Sequence, residues 1–329
     1  MSSRVNSGNL STLTKKIGGG LIPAVPVPFD VEGRFHAQAH DAYLQYMSSQ
    51  PIAGVAVWAH TGRGLHLENE IAKRVLIGWR EALPAGVLIA GVGARSGSGS
   101  IPDSTTQTMQ MAERAARFGA DALLVYPPTW LKNSETRDEM IVELHSQLSQ
   151  IDLPLILFYL YEAAGGISYE PTVLDELLSL PNVAGIKVAT LDSVMTYQDI
   201  ARQIQAKHPD KLLITGEDRF LGYSLQRGAR AALIGMGAVC CELQSELITA
   251  SDKKNAQRFL ELSNAVDRLA ETLFINPMEG YIGRILLALV HLGVITRDAA
   301  HDPWGPELKS EEFKSIGDAI EEITSCIGI

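Results

Sequence analysis

Short runs of Val, Ile, Leu and Ala recur along the chain, each followed by a longer stretch of mixed character. Eight such runs stand out: LIPAVPV (21–27), AGVAVWA (53–59), VLIAGVG (87–93), DALLVYP (121–127), PLILFYL (154–160), AGIKVA (184–189), KLLITG (211–216) and AALIGM (231–236). They are almost continuously apolar rather than alternating, the pattern of parallel strands covered on both faces. Between them, 69–83, 106–120, 135–150, 170–181 and 193–209 carry apolar residues at helical spacing. The 135–150 segment opens with acids, which favour a helix N-terminus, and the 106–120 segment closes near Gly119, a helix stop. Strand–helix alternation without a linker-like segment predicts an α/β fold of the (β/α)8 TIM-barrel type. Beyond the eighth run, 243–275, 279–295 and 311–328 read as long helices. The expected organisation is a flexible N-terminal leader (1–17), the barrel (18–240) and a helical C-terminal extension (241–329).

One polar residue interrupts the sixth run. In NVAGIKVAT (182–190), Lys187 sits among Val183, Ile186 and Val188. A buried ammonium is costly unless it is paired or gives up its proton. One reading is an ion pair with Glu217 or Asp218 of TGEDRF. The other is a nucleophile: a desolvated lysine is a free amine that adds to a carbonyl and forms a Schiff base. Barrel enzymes place their chemistry at the C-terminal ends of the strands. Lys187 lies near the end of the sixth run, Tyr159 at the end of the fifth, and AHTGRG (59–64) just after the second. A phenol facing the lysine can shuttle protons. Tyr161, two residues on, is a rival that alternation alone does not separate from Tyr159. In AHTGRG, Gly62 allows close backbone approach to an anion, Thr61 adds a hydroxyl, and His60 and Arg63 are the cations at hand.

Charge and composition narrow the function further. The chain of 329 residues carries a formal net charge of −10 and has no Lys/Arg cluster. This argues against nucleic acid and anionic membrane as partners. Three cysteines without a CxxC pair indicate neither a disulfide framework nor a structural zinc site. His60 and His66 lie six apart with no HxH or HxxxH partner, so no metal is expected. GVGARSGSGS (91–100) lacks both the GK[ST] ending and the GxGxxG register and reads as a flexible loop. No cofactor is called for. The polar start of the chain lacks a signal-peptide core, and a cytoplasmic enzyme is expected.

These segments together resemble the dihydrodipicolinate synthase / N-acetylneuraminate lyase family of class I pyruvate-dependent lyases. The resemblance is carried by PAVPVPFD, HTGRG, GVGA, PLILFY, LPNVAGIKVAT and TGEDRFL…GARAALIGMGAV. It implies that Lys187 forms the Schiff base. The family's relay tyrosine precedes its lysine by 28 residues, which points to Tyr159. The resemblance also implies that Thr61 takes part in binding the carboxylate, with His60 where a further threonine would stand. Ile234 falls where a backbone carbonyl approaches the lysine. Three positions depart from the pattern: Arg63 replaces a glutamate, Ala164 stands where the synthase branch has an arginine, and Thr129 lies near its inter-subunit tyrosine.

The expected activity is therefore a Schiff-base lyase, an aldolase or dehydratase acting on pyruvate or a 2-keto-3-deoxy acid. Lys187 would be the nucleophile and Tyr159 the proton carrier. Thr61, Gly62, His60, Arg63 and Tyr161 would contact substrate, with Glu217 balancing charge. The alternative is a non-catalytic barrel that senses a 2-oxo acid. A homotetramer is what the resemblance implies for assembly.

Overall fold

The computed structural model describes residues 7–95, 97 and 99–327. Eight parallel strands follow the expected runs: β1 (Leu21–Pro23), β2 (Gly54–Val57), β3 (Val87–Val92), β4 (Ala122–Val125), β5 (Leu155–Leu160), β6 (Val183–Ala189), β7 (Leu212–Thr215) and β8 (Ala231–Ile234). From β2 to β8 each strand pairs with the next in sequence, and β1 pairs with β8. An Ala24–Ala56 bridge, with Val25 donating to the Ala56 carbonyl, joins β1 to β2. The (β/α)8 barrel and its helical C-terminal region are thus as expected.

Side-chain alternation splits the strands into two layers. Ile22, Ile89, Leu124, Ile156, Phe158, Ile214 and Leu233 fill the barrel interior. Val57, Leu123, Leu157, Val188 and Ile234 face outward, beneath the helices. Because both faces are covered, both need apolar residues, which is why the runs do not alternate in sequence.

Among the described residues, twelve α-helices surround or extend the barrel: α1 (Ser7–Ile17), α2 (Ala37–Ser48), α3 (Asn69–Ala82), α4 (Ile101–Arg117), α5 (Arg137–Leu148), α6 (Pro171–Ser179), α7 (Val194–Lys207), α8 (Leu221–Gln226), α9 (Cys241–Asp252), α10 (Ala256–Leu273), α11 (Tyr281–His291) and α12 (Ser310–Ile327). Local signals set several starts. Ser100 and Asp103 form a reciprocal capping box on α4. Ser193 accepts from Thr196 N–H to cap α7.

Two expectations change. Residues 7–17 belong to α1 rather than to a flexible leader. Leu13 and Ile17 are buried in one cluster with Val87, Ala122, Leu212 and Ala231, the first residues of four strands, and so close the barrel floor. Residues 1–6 of that leader lie outside the described residues, as do Ser96 and Ser98 of the glycine-rich loop. The expected helix over 243–275 is two helices. Lys254 adopts φ +54°, and Asn255 then caps α10 by accepting from Arg258 N–H.

The C-terminal helices pack through an apolar stripe on α10, Leu262, Val266, Leu269 and Leu273. Arg284 of α11 is wholly buried. It donates to the carbonyls of Leu273, Ile275 and Pro277 and to the Glu312 carboxylate of α12. This satisfies the end of α10 and fixes the 274–281 turn. That turn reaches over the barrel mouth.

Candidate active site

Lys187 points into the barrel. In the strand register it lies between Phe158 and Ile214, both interior residues. It is 6% exposed, and its Nζ sits 4.3 Å from the Phe158 ring centroid. Gly216 follows β7 beside it; a Cβ there would lie 2.6 Å from Lys187 Cε and 2.9 Å from Ala189 Cβ, so glycine leaves the lysine its path. Among the described residues no hydrogen bond or ion pair engages Nζ. Burial lowers the Lys187 pKa, while the charges of Asp218 and Glu217 work the other way.

Both carboxylates are committed elsewhere. Glu217 accepts from Thr190 N–H at 2.6 Å, Thr190 Oγ1 at 2.9 Å and Leu191 N–H at 2.9 Å. It thereby holds the loop after β6, where Leu191 adopts φ +43°. Burial raises the Glu217 pKa to about 8 against these three donors. Asp218 accepts from Met236 N–H at 2.7 Å and anchors the loop after β8. Burial raises its pKa too, and the Lys187 charge opposes the rise. The sequence alternatives of ion pair and free amine thus meet in one cluster: the carboxylates lie close enough to act on the amine but bond to backbone N–H groups and to the Thr190 hydroxyl.

The two tyrosines part company. Tyr159 pairs with Val188 in the register, and its side chain shares the outer layer. Its ring packs edge-on against Tyr169, with centroids 6.1 Å apart. The 28-residue spacing therefore leads to a side chain on the helix-facing side of the barrel. This corrects the expectation that Tyr159 faces the lysine. Tyr161 packs against the interior cluster instead. Burial raises its pKa to about 12, with Glu279, Asp192, Asp218 and Glu217 adding to the rise. Its hydroxyl has no hydrogen bond among the described residues.

The AHTGRG segment forms a 3-10 turn at His60–Gly62. Gly62 packs against Val25 O, which a Cβ would approach to 2.8 Å. Thr61 is buried, and its Oγ1 lies 3.0 Å from the Tyr281 hydroxyl. Arg63, at φ +50°, donates to Asp302 at 2.7 Å and to Glu279 at 2.8 Å. His60 lies 3.0 Å from Glu279. Burial works against both charges in this network, but the Asp302 contact holds the Arg63 pKa above its usual value. Burial likewise raises Glu279, yet His60 and Arg63 bring it down to about 2. Neither cation of the loop is free for an anion, which corrects the expectation for His60 and Arg63. The Ile234 side chain faces outward, and its carbonyl accepts from Ala24 N–H at 2.9 Å.

Phe158, Tyr281, Glu279 and Asp302 are site residues the sequence did not single out. The last three come from the extension, and the contacts of Arg63 and Thr61 reach 216 to 239 residues along the chain. No local spacing signals such contacts. Among the described residues no group of three His, Cys, Asp or Glu could hold a metal ion.

An uncharacterized DapA-like lyase of Thermococcus kodakarensis is 24% identical over 296 residues, covering 90% of this chain and 96% of that one. A 4-hydroxy-tetrahydrodipicolinate synthase of Bartonella tribocorum is 24% identical over 263 residues, 78% of this chain and 83% of that one. The fold is shared with an N-acetylneuraminate lyase from Mycoplasma synoviae, with a TM-score of 0.76, 22% identity and coverage of 96% and 100%. It is shared too with a prophage protein of E. coli K12 solved in complex with pyruvate, with a TM-score of 0.80, 19% identity and coverage of 93% and 98%. With residues 18–323 matched by the sequence model of the dihydrodipicolinate synthetase family, the chain belongs to that family, whose named relatives are lyases.

Proposed function

We propose that the chain is a class I lyase in which Lys187 forms a Schiff base with a 2-oxo acid, pyruvate or a 2-keto-3-deoxy acid. The observation that carries the reading is the environment of Lys187: buried in the barrel mouth against an aromatic ring, with its pKa lowered and no ion pair among the described residues. Such an amine is a nucleophile near neutral pH.

The neutral amine adds to the C2 carbonyl, and loss of water gives the iminium. The iminium accepts the electron pair released when the C3–C4 bond breaks, or when a C3 proton leaves ahead of C4 hydroxide. Either route ends at an enamine or its conjugated equivalent, which water releases from the lysine. Tyr161 carries the protons in these steps, in place of Tyr159. Its free hydroxyl and its position on the lumen side support that role. It exchanges as a neutral acid, since its raised pKa keeps it protonated.

The substrate carboxylate docks on the turn after β2. Gly62 and Arg63 N–H groups bond back to Ala59 and His60, which leaves the turn's first N–H groups for the carboxylate, beside the Thr61 hydroxyl that also contacts Tyr281. Arg63 and His60 shape this turn through Glu279 and Asp302 rather than touching the anion. Asp218 and Glu217 balance charge as Lys187 becomes an iminium.

Borohydride trapping tests the proposal. The protein is incubated with pyruvate and a panel of 2-keto-3-deoxy sugar acids, reduced, and its mass and modified peptide determined. A pyruvyl adduct on Lys187 is expected, and none in Lys187→Ala. Tight binding of a 2-oxo acid without an adduct would favour the sensor reading instead.

A further inference from the structure

One polar contact joins the extension to the centre of the barrel mouth and is unused by the mechanism above. The Tyr281 hydroxyl and Thr61 Oγ1 lie 3.0 Å apart, both residues buried. The Tyr281 ring stacks on Phe274, with centroids 4.7 Å apart and planes at 20°, and runs nearly parallel to His60 at 6.3 Å and 14°. Gly235, just past β8, leaves room for the pair: a Cβ there would lie 3.0 Å from the Tyr281 ring and 3.1 Å from Thr61 Oγ1. The next residue, Met236, donates its N–H to Asp218, and Asp218 acts on Lys187. The set from Thr61 through Tyr281 and Gly235 to Asp218 and Lys187 is therefore contiguous.

Packing alone does not account for the hydroxyl. A phenylalanine would keep both stacks and avoid burying a polar group. The oxygen is useful only for what it does to Thr61. A threonine hydroxyl is a rotor with one proton to give. If the phenol donates to Thr61 Oγ1, the threonine's own proton is left to point elsewhere. Burial keeps Tyr281 protonated and so able to donate.

We propose that Tyr281 is a positioning residue of the active site: by donating to Thr61 Oγ1 it turns the threonine proton toward the carbonyl substrate held at Lys187. The C-terminal extension then supplies part of the substrate-orienting machinery from within the same chain. This inference rests on the Schiff-base reading of Lys187.

The test uses pyruvate as probe on the full-length protein. Exchange of its methyl protons in D2O, followed by NMR, reports enamine formation without knowledge of a second substrate. Borohydride trapping on Lys187 reports the adduct. In Tyr281→Phe, trapping at saturating pyruvate is expected to persist while the maximal exchange rate falls about tenfold, the effect of one lost hydrogen bond in the reacting geometry. Thr61→Val is expected to cost much less in that background than alone, because the two hydroxyls act as a unit. Wild-type exchange in Tyr281→Phe, with Lys187 still trapped, would overturn this inference alone. Absence of both trapping and exchange in the wild type would overturn the Schiff-base reading and this inference with it. Should Tyr281→Phe fail to fold, Thr61→Ser and Thr61→Val decide: exchange is expected to fall much further with valine than with serine, which keeps a hydroxyl, and equal rates would overturn the role.

Discussion

Phe158 lies directly opposite Lys187 in the pairing of β5 with β6, and its ring centroid is 4.3 Å from the amine nitrogen. The ring does two opposed things. It attracts an ammonium through its π face, an effect of about 1–2 kcal/mol, and it keeps water away. Since burial is the largest cause of the lowered Lys187 pKa, exclusion of water wins. Phe158→Asn is expected to admit water and raise that pKa. Only the free amine reacts, so the pH of half-maximal borohydride trapping should move up by about one unit. A move to lower pH would show that the ring acts mainly by attracting the cation. Trapping with pyruvate across pH 5 to 10 makes the measurement (roughly the range over which a perturbed lysine titrates).

The tyrosine beside the site is the next question. Tyr159 shares the outer layer with Val188, whereas Tyr161 packs on the interior cluster. Tyr161→Phe is therefore expected to slow turnover by about a hundredfold, the low end for a lost proton carrier. Tyr159→Phe should stay within about threefold of wild type, as suits a half-buried side chain away from the reacting atoms whose ring packing phenylalanine keeps. Steady-state kinetics on whichever acid traps best would check this. The reverse ranking would return the proton carrier to Tyr159.

Much of this arrangement was legible in the chain, and the rest has identifiable reasons for being hidden. The strands could be read because a barrel covered on both faces needs apolar runs, and Lys187 could be read because it breaks one. The same two-sided burial hid the direction of the tyrosines. LILFYL is apolar throughout, so nothing in it says whether Phe158 or Tyr159 faces inward. Alternation would have kept Tyr161 on the side of Tyr159, but β5 ends at Leu160 and the chain turns at Glu162–Ala164. Asp218 was visible only as one of two acids beside a strand end. The roles of Glu279, Tyr281 and Asp302 depend on the extension folding back over the mouth, and no spacing along the chain encodes that return. Helix α1 was missed because its start is polar, while Leu10, Leu13 and Ile17 are the described residues of it that pack on the barrel floor.

The link between Glu279 and the turn after β2 should make stability depend on pH. The Glu279 carboxyl has a pKa of about 2 in the fold against 4.5 as an ordinary glutamate. A lowered pKa means that its contribution is fully present above the unfolded value and is lost as pH falls toward the folded one. Between pH 4.5 and pH 2 the wild type should therefore lose stability that Glu279→Gln never had. The gap in melting temperature between the two proteins is expected to be widest near neutral pH and to close in acid. A gap that stayed constant down to pH 2 would mean that His60 and Arg63 do not hold the carboxylate in its charged form.

The turn that delivers Glu279 and Tyr281 depends in turn on Arg284. This guanidinium is wholly buried; its Nε donates to Glu312 at 2.5 Å and its Nη1 to three carbonyls between Leu273 and Pro277. Removing the acid strands a buried positive charge, which typically costs about 3–5 kcal/mol. Glu312 is only partly buried, so water can replace some of what is lost, and Glu312→Ala should fall at about 3 kcal/mol by chemical denaturation. The change lies in α12, remote from Lys187 in sequence and in the outer layer of the extension. Its effect on turnover should nevertheless exceed that of an exposed α12 substitution such as Lys314→Ala, because the turn it secures carries the residues that hold Thr61 and Arg63. Equal turnover in the two variants, measured where both are fully folded, would show that the turn keeps its place without the Arg284–Glu312 pair.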